Sequence, residues 1–320
     1  MFEGYAVTNV LAALEVSGDL SRLAQDGIDT TSVQDRDRAA ANLLASSLRY
    51  LALRGVTRES AGTFTLTEYG EAVYRDRGFL LWLARGYGDS MAQLDALVTG
   101  DKHYGDDVGR DGRWVADGTT LMARRYVLPG AMALLGRLSF GHVLDLGSGN
   151  ARFLISLCRA TGARGIGVDV SPTAHAEAEK AVAESGLNDK VRLVLGDVTA
   201  VDDIPGLADV DLVTAFYLLH EFLTDGDGHD ALTAFLSSLS RRLRPGAGMV
   251  IGELEPPAEG IEEQPFLPEY SYIHAVMRQR LLTADDWSRV LYKGGFEVAE
   301  IVRPGFPGAL LIHCVKHSQE

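Results

Sequence analysis

The chain has 320 residues, enough for two domains, and its 46% hydrophobic and 23% charged content is that of an ordinary globular protein. A formal net charge of −14 opposes a polyanionic partner such as DNA, and no apolar run approaches the roughly 20 residues of a membrane helix, so neither nucleic acid nor membrane is expected. Cys158 and Cys314 sit inside apolar segments and are expected to be reduced and buried; with no signal-peptide pattern in "MFEGYAVTNV", this gives a cytoplasmic expectation.

Residues 1–100 read as helical. "TNVLAALEVSGDLSRLAQDG" and "AAANLLASSLRYLALRGV" carry apolar residues at helical spacing. "GVTRESAGTFTLTEYGEAVYR" reads as a short hairpin with a Gly-containing turn and a further helix, and "LLWLARGYGDSMAQLDALV" as one more helix. Helices followed by such a wing resemble a winged-helix module. Residues 101–140 read as a helical linker and lid: the Gly/Asp-rich "TGDKHYGDDVGRDGRW" leads into a helix over "TTLMARRYVLPGAMALLGRL".

From His142 the texture becomes alternating strands and helices, so residues 141–320 are expected to form an α/β domain. The predicted strands are "HVLDLG", "ARGIGVDV", "KVRLVLGD", "VDLVTAFY", "GMVIGELE", "FEVAEIVR" and "ALLIHCVK". Only "PGFPG" separates the last two, too short for a helical crossover, so they should pair antiparallel.

"VLDLGSGNARFL" is a strand, a Gly turn and a helix. Gly147 and Gly149 permit close backbone approach to a ligand, with Ser148 between them, and the helix N-terminus directs donors at it. Ala151 at the third position departs from a dinucleotide fingerprint. Asp145 precedes the turn. Asp169 ends the next strand, where a carboxylate can bind a ribose diol; Asp197, with Val198 after it, follows the third, where it can reach an adenine amino group. Phe216 and Tyr217 end the fourth strand, and "YLLHEFLT" then sets His220 beside Glu221. A neutral imidazole there could take a proton near pH 7, with a carboxylate fixing its tautomer. His274 lies in the aromatic stretch "FLPEYSYIHAVM".

The Gly loop, the three acidic strand ends and the antiparallel last pair together resemble class I S-adenosylmethionine (SAM) methyltransferases, whose fold is a Rossmann-like, seven-stranded sheet with an antiparallel last strand. A sulfonium suits the acidic lining better than an NAD pyrophosphate would. The resemblance implies SAM at Asp145, Gly147, Ser148, Gly149, Asp169, Asp197, Val198 and Phe216, with Tyr126 over the cofactor. The N-terminal segment resembles the dimerisation domain of small-molecule O-methyltransferases, implying a homodimer. In that group a His at the place of His220 is a general base on a hydroxyl.

More narrowly, the chain resembles the α-keto acid C-methyltransferases of nonribosomal peptide pathways. In that family two histidines hold an iron ion that chelates the keto acid, which implies His220 and His274 as ligands of a transition metal such as Fe, Zn or Ni. It further implies Arg110 ("DVGRDG") on the substrate carboxylate, and Trp82 ("LLWLARGYG") and Phe266 ("EQPFLPE") in the substrate pocket. Tyr217, Glu269 and Tyr270 differ from the family's pocket and bear on the substrate's side chain, and residues 255–282 are expected to cover it. The implied activity is methyl transfer from SAM to C3 of an α-keto acid such as phenylpyruvate, indolepyruvate or a keto-arginine, in natural-product biosynthesis. A metal bound by the C1 carboxylate and C2 oxygen would stabilise the enolate. Glu221 could be a third ligand, an orienting group or the base. The alternative is a metal-free O-methyltransferase with His220 as base.

Overall fold

The structure is a computed structural model that describes residues 2–30, 36–224, 228–257 and 267–317. The chain divides into two compact units, Met1–Arg125 and Tyr126–Glu320. Residues 101–140 therefore do not stand apart: the first part belongs to the N-terminal unit and the rest to the C-terminal one.

The N-terminal unit begins with α1 (Phe2–Val16), α2 (Asp19–Gln25), β1 (Ile28–Asp29) and α3 (Arg38–Leu53). Asp37 caps α3 by accepting the Ala40 N–H at 2.8 Å, satisfying one of the helix's unpaired donors. β2 (Thr57–Ser60) and β3 (Thr63–Leu66) form the expected hairpin, with Ser60 opposite Thr63. Both loop residues, Ala61 and Gly62, have positive φ (50° and 82°), the backbone of a two-residue turn that matches strand twist. β1 adds to the free side of β3, and α4 (Glu68–Arg75) follows. Leu11, Leu20, Leu48, Leu51 and Phe64 form the core beneath.

The single helix expected over residues 80–98 is broken into a π-helical segment (Leu80–Gly86), α5 (Gly88–Ala92) and α6 (Leu94–Thr99). The breaks fall at Tyr87 and Gln93, whose backbones leave the helical region, and Gly86 admits the close approach of Val115, whose Cγ2 would lie 2.7 Å from a Cβ there. α7 (Gly112–Met122) starts earlier than the apolar spacing suggests, because Asp111 accepts from the Arg113 and Trp114 amides and caps it. A π-helical turn, Ala123–Val127, leads into α8 (Leu128–Leu135), with Pro129 in its first turn.

The C-terminal unit contains β4 (His142–Leu146), α9 (Arg152–Thr161), β5 (Arg164–Asp169), α10 (Pro172–Ser185), β6 (Val191–Leu195), β7 (Leu212–Phe216), α11 (Gly228–Arg242), β8 (Gly248–Leu254), α12 (Leu267–Val276), α13 (Ala284–Lys293), β9 (Phe296–Val302) and β10 (Ala309–Lys316). The sheet order is β6-β5-β4-β7-β8-β10-β9. Only β10 runs against its neighbours, β8 and β9. β7 and β8 are buried at nearly every position and read as apolar runs because both faces are covered, whereas the edge strands β6 and β9 keep charged and exposed positions. Leu144, Leu146, Val213, Ala215, Met249, Ile251, Leu310 and Ile312 face a core shared with Leu236, Leu239 and Trp287 of α11 and α13. Val143, Leu212, Val250 and Leu311 face the other, with Leu134, Leu154 and Val182 of α8–α10. This is the class I methyltransferase sheet. Its order reverses between β4 and β7, so the carboxyl ends of these strands flank the crevice where open α/β sheets bind ligands.

Candidate active site

The turn after β4 takes three left-handed residues, Gly147 (φ 66°), Gly149 (φ 52°) and Ala151 (φ 56°). The first two positions are glycine, as such backbone favours; Ala151 adopts it with its methyl fully buried. Ser148 packs on β5, where a Cβ on Gly167 would lie 2.8 Å from its Oγ, and its N–H donates to Val168 O at 3.0 Å. The Gly149 N–H donates to Asp169 Oδ2 at 2.8 Å, and the Ser171 N–H to Oδ1 at 2.9 Å. Asp169 thus ties the Gly turn to the end of β5.

Asp197 Oδ1 accepts from both the amide and the hydroxyl of Thr199, which holds its carboxyl below the usual carboxylate range. Val198 beside it is half-buried against the core. Asp145 lies inside β4 rather than in the turn. It is buried, it accepts the Thr214 hydroxyl at 2.6 Å, and burial pushes its pKa up to about 7, with the Asp169 charge adding to the rise. Phe216 crosses β8 where Gly252 leaves room, since a Cβ there would lie 2.4 Å from its ring, and meets Phe153 edge-on at 4.8 Å. Tyr126 meets Phe306 at 4.9 Å.

After β7 the backbone turns sharply. Tyr217 has φ 54°, and its N–H donates to Gly252 O at 2.8 Å; burial, with Glu253 adding, raises its phenol. The turn delivers His220, buried at 4% exposure, onto β8. Its Nδ1 lies 2.7 Å from Glu253 Oε2, while Glu253 Oε1 accepts the Leu219 and His220 amides at 3.0 and 3.3 Å. Three donors thus offset the desolvation of a carboxylate that is only 1% exposed. The carboxylate that orients His220 is therefore Glu253. Glu221, the expected candidate, accepts instead from Gln279 Nε2 at 2.6 Å.

α12 brings the second imidazole. His274 is buried at 3% exposure, its ring centroid 5.0 Å from that of His220 at 74°. His274 Nδ1 donates to Tyr270 O at 2.8 Å, and the Tyr270 ring lies 4.1 Å from the imidazole. Each Nδ1 faces an acceptor, so in the neutral form each Nε2 carries the lone pair that a metal or proton would take. Two imidazoles with anchored Nδ1 atoms fit a transition-metal pair of ligands. Among the described residues no group of three or more His, Cys, Asp or Glu side chains adds to them.

Glu269 is exposed on the first turn of α12. Phe266 and residues 258–266 of the expected cover lie outside the described residues. Arg110 and Trp82 belong to the N-terminal unit. Trp82 is 2% exposed in the π-helical segment, edge-on to Tyr87, whereas Arg110 is exposed. Two hydrogen bonds, Asp111 N–H to Gly86 O and Ser90 Oγ to Gly109 O, hold their segments together. Sequence reasoning missed Glu253, Gln279 and Thr214. The available signal for Glu253 was an acid inside "MVIGEL", a strand buried at every position.

A family model described as a methyltransferase domain matches residues 143–246. The chain is 28% identical over 274 residues to an indolepyruvate C-methyltransferase of Streptomyces griseus, covering 83% of this chain and 78% of that one. It is 28% identical over 305 residues to a 2-ketoarginine methyltransferase of Streptomyces arginensis, covering 92% and 86%. Among solved structures it resembles mitomycin 7-O-methyltransferase (TM-score 0.72, 16% identity, covering 99% and 96%). It also resembles an O-methyltransferase family protein from Burkholderia thailandensis (TM-score 0.70, 17% identity, covering 99% and 96%). With the reversed last strand, the Gly turn and the matched domain on one sheet, the chain is a SAM-dependent methyltransferase of the class I fold.

Proposed function

We propose that the chain transfers the SAM methyl group to C3 of an α-keto acid, at the site carrying His220 and His274. The observation that carries this reading is the buried pair of imidazoles, 5.0 Å apart, each with Nδ1 at a fixed acceptor. The sequence likeness to enzymes named for indolepyruvate and 2-ketoarginine supports the substrate class. Two neutral imidazoles suit Fe, Zn or Ni. When bound, such an ion supplies Lewis acidity toward the C1 carboxylate and C2 oxygen, lowering the cost of removing the C3 proton. The protein's own part is alignment: C3 must face the methyl carbon as the sulfonium C–S bond breaks, leaving S-adenosylhomocysteine. Glu253 holds His220, and the Tyr270 carbonyl holds His274. Gly147, Ser148, Gly149, Asp169, Asp197, Val198 and Phe216 are the proposed cofactor contacts, with Asp145 beneath and Tyr126 alongside. Arg110, Trp82 and Phe266 carry over as substrate contacts from the sequence resemblance alone, and Tyr217, Glu269 and Tyr270, where the chain departs from it, are proposed to bear on the substrate's side chain.

The test is incubation with SAM and phenylpyruvate, indolepyruvate or 2-ketoarginine, with the methyl group located by mass spectrometry and NMR. Methylation at C3 is the expected result; product methylated only on oxygen, or none from any keto acid, contradicts it.

One observation favours a second reading. His220 Nδ1 and Glu253 form a buried pair at 2.7 Å, the arrangement of a general base with its orienting carboxylate, which would serve O-methylation of a hydroxyl without a metal. Activity that survives chelator treatment would favour it.

We also propose a homodimer through the N-terminal helices, where Phe2 and Tyr5 of α1 and Leu43 and Leu53 of α3 are exposed. Light scattering at micromolar concentration should give twice the chain mass.

A further inference from the structure

The segment after α12 turns back on itself at Arg278, whose φ of 59° is unusual for a residue with a Cβ. That turn delivers Gln279 to the stretch following His220. Thr224 and Gln279 form an antiparallel bridge, and the Arg280 N–H donates to Leu223 O at 2.8 Å. Gln279 then bonds in two directions. Its backbone N–H donates to the His274 carbonyl at 2.8 Å, and its side-chain Nε2 donates to Glu221 Oε2 at 2.6 Å. A single residue therefore links the peptide of one histidine to the side chain next to the other.

We propose that Gln279 is a positioning residue that sets the mutual placement of His220 and His274; its catalytic consequence rests on the reading that these imidazoles serve methyl transfer. The carboxylate fixes the orientation of the amide, because only the nitrogen can donate to Glu221. The charge-assisted bond to Glu221 is of the stronger kind. The other amide atom, Oε1, is buried and accepts no hydrogen bond from the described residues. Gln279→Glu consequently keeps the shape of the side chain and an oxygen at that buried position, while it replaces the donor to Glu221 by an acceptor and adds a second carboxylate beside it. Glu221→Gln combined with Gln279→Glu reverses donor and acceptor and restores the bond.

The test has two readouts. Histidine ring resonances, followed by NMR without substrate, report placement directly. Gln279→Glu should move the signals of both His220 and His274, and the reversed pair should bring them back toward wild type. In turnover, Gln279→Glu should lower kcat about 10–100-fold, as a misplacement on the order of 1 Å does. KM for SAM should stay within about twofold, because the cofactor loop is untouched. If Gln279→Glu fails to fold, judged by lost SAM binding, Gln279→Ala introduces no buried charge and should shift the same two histidines. Wild-type ring signals in a folded variant, or signals that move and do not return in the reversed pair, would overturn the proposal. If wild-type protein methylates no keto acid, the reading of function falls, and the ring signals alone still decide the role of Gln279.

Discussion

The ends of β4, β5 and β6 differ in construction from the ends of β7 and β8. The first group works through backbone amides: Asp169 accepts from Gly149, 20 residues back, and from Ser171, two residues on, and Asp197 from Thr199. The second group works through buried side chains from distant segments: His220 with Glu253 33 residues away, and Glu221 with Gln279 58 residues away. A loop of left-handed residues and solvated acids suits a charged cofactor that must enter and leave. A pair of buried imidazoles, each braced by an acceptor, suits chemistry that depends on placement within fractions of an ångström. Binding and turnover should therefore be separable by mutation.

The largest separation is expected at Glu253. Glu253→Gln keeps the volume, and its amide oxygen can still accept the Leu219 and His220 N–H groups, but its NH2 then faces His220 Nδ1 as donor against donor, so the tautomer that leaves the lone pair on Nε2 is lost. Methyl transfer should drop about 10–100-fold with SAM affinity unchanged, checked by steady-state rates beside calorimetry. A parallel loss of SAM affinity would break the division between the two regions. Asp169→Ala should do the opposite, weakening SAM binding by roughly 1.5–3 kcal/mol, the scale of a hydrogen bond to a charged group, with the fold retained. Unchanged affinity in calorimetry would remove Asp169 from the cofactor region.

A different effect, on stability, concerns Asp145, which is buried in the first region yet built like the second. Its folded pKa of about 7 lies above the unfolded value of 3.8, so the folded state binds more protons between those pH values. The contribution of this group to stability is thus fully present below about pH 4 and falls as pH rises to about 7. Asp145→Asn cannot ionise, so this part of the pH dependence should disappear, leaving the variant relatively better off by about 4 kcal/mol at pH 8 than at pH 4, compared with wild type, at about 1.4 kcal/mol per pKa unit. Thermal melts of both proteins across that range check it, and identical pH profiles would contradict it.

The same contrast explains what the sequence made legible. The strands could be read from short stretches rich in Val, Leu and Ile that alternate with helices, and the reversal of β10 followed from a connection too short to cross over. Gly147, Gly149 and Asp169 could be read because turn chemistry is local. Partners across the sheet could not. Glu221, adjacent to His220 in sequence, left the roles of ligand, orienting group and base open; in the fold it accepts from Gln279, while Glu253, on the next strand, stands at His220 Nδ1. The close approach of Gly86 to Val115 of another helix, beside the break in the predicted 80–98 helix, was hidden for a related reason, since it joins distant segments.

The central claim is that His220 and His274 act as one unit in methyl transfer to a keto acid. Its most direct test measures transition-metal content, SAM binding and keto-acid methylation for His220→Ala and His274→Ala beside wild type. Both variants should bind SAM normally, and both should lose bound metal and methyl transfer to similar extents, because groups acting together fail together. Full metal content and full activity in His274→Ala would contradict the account and leave His220 with Glu253 as a general base acting alone.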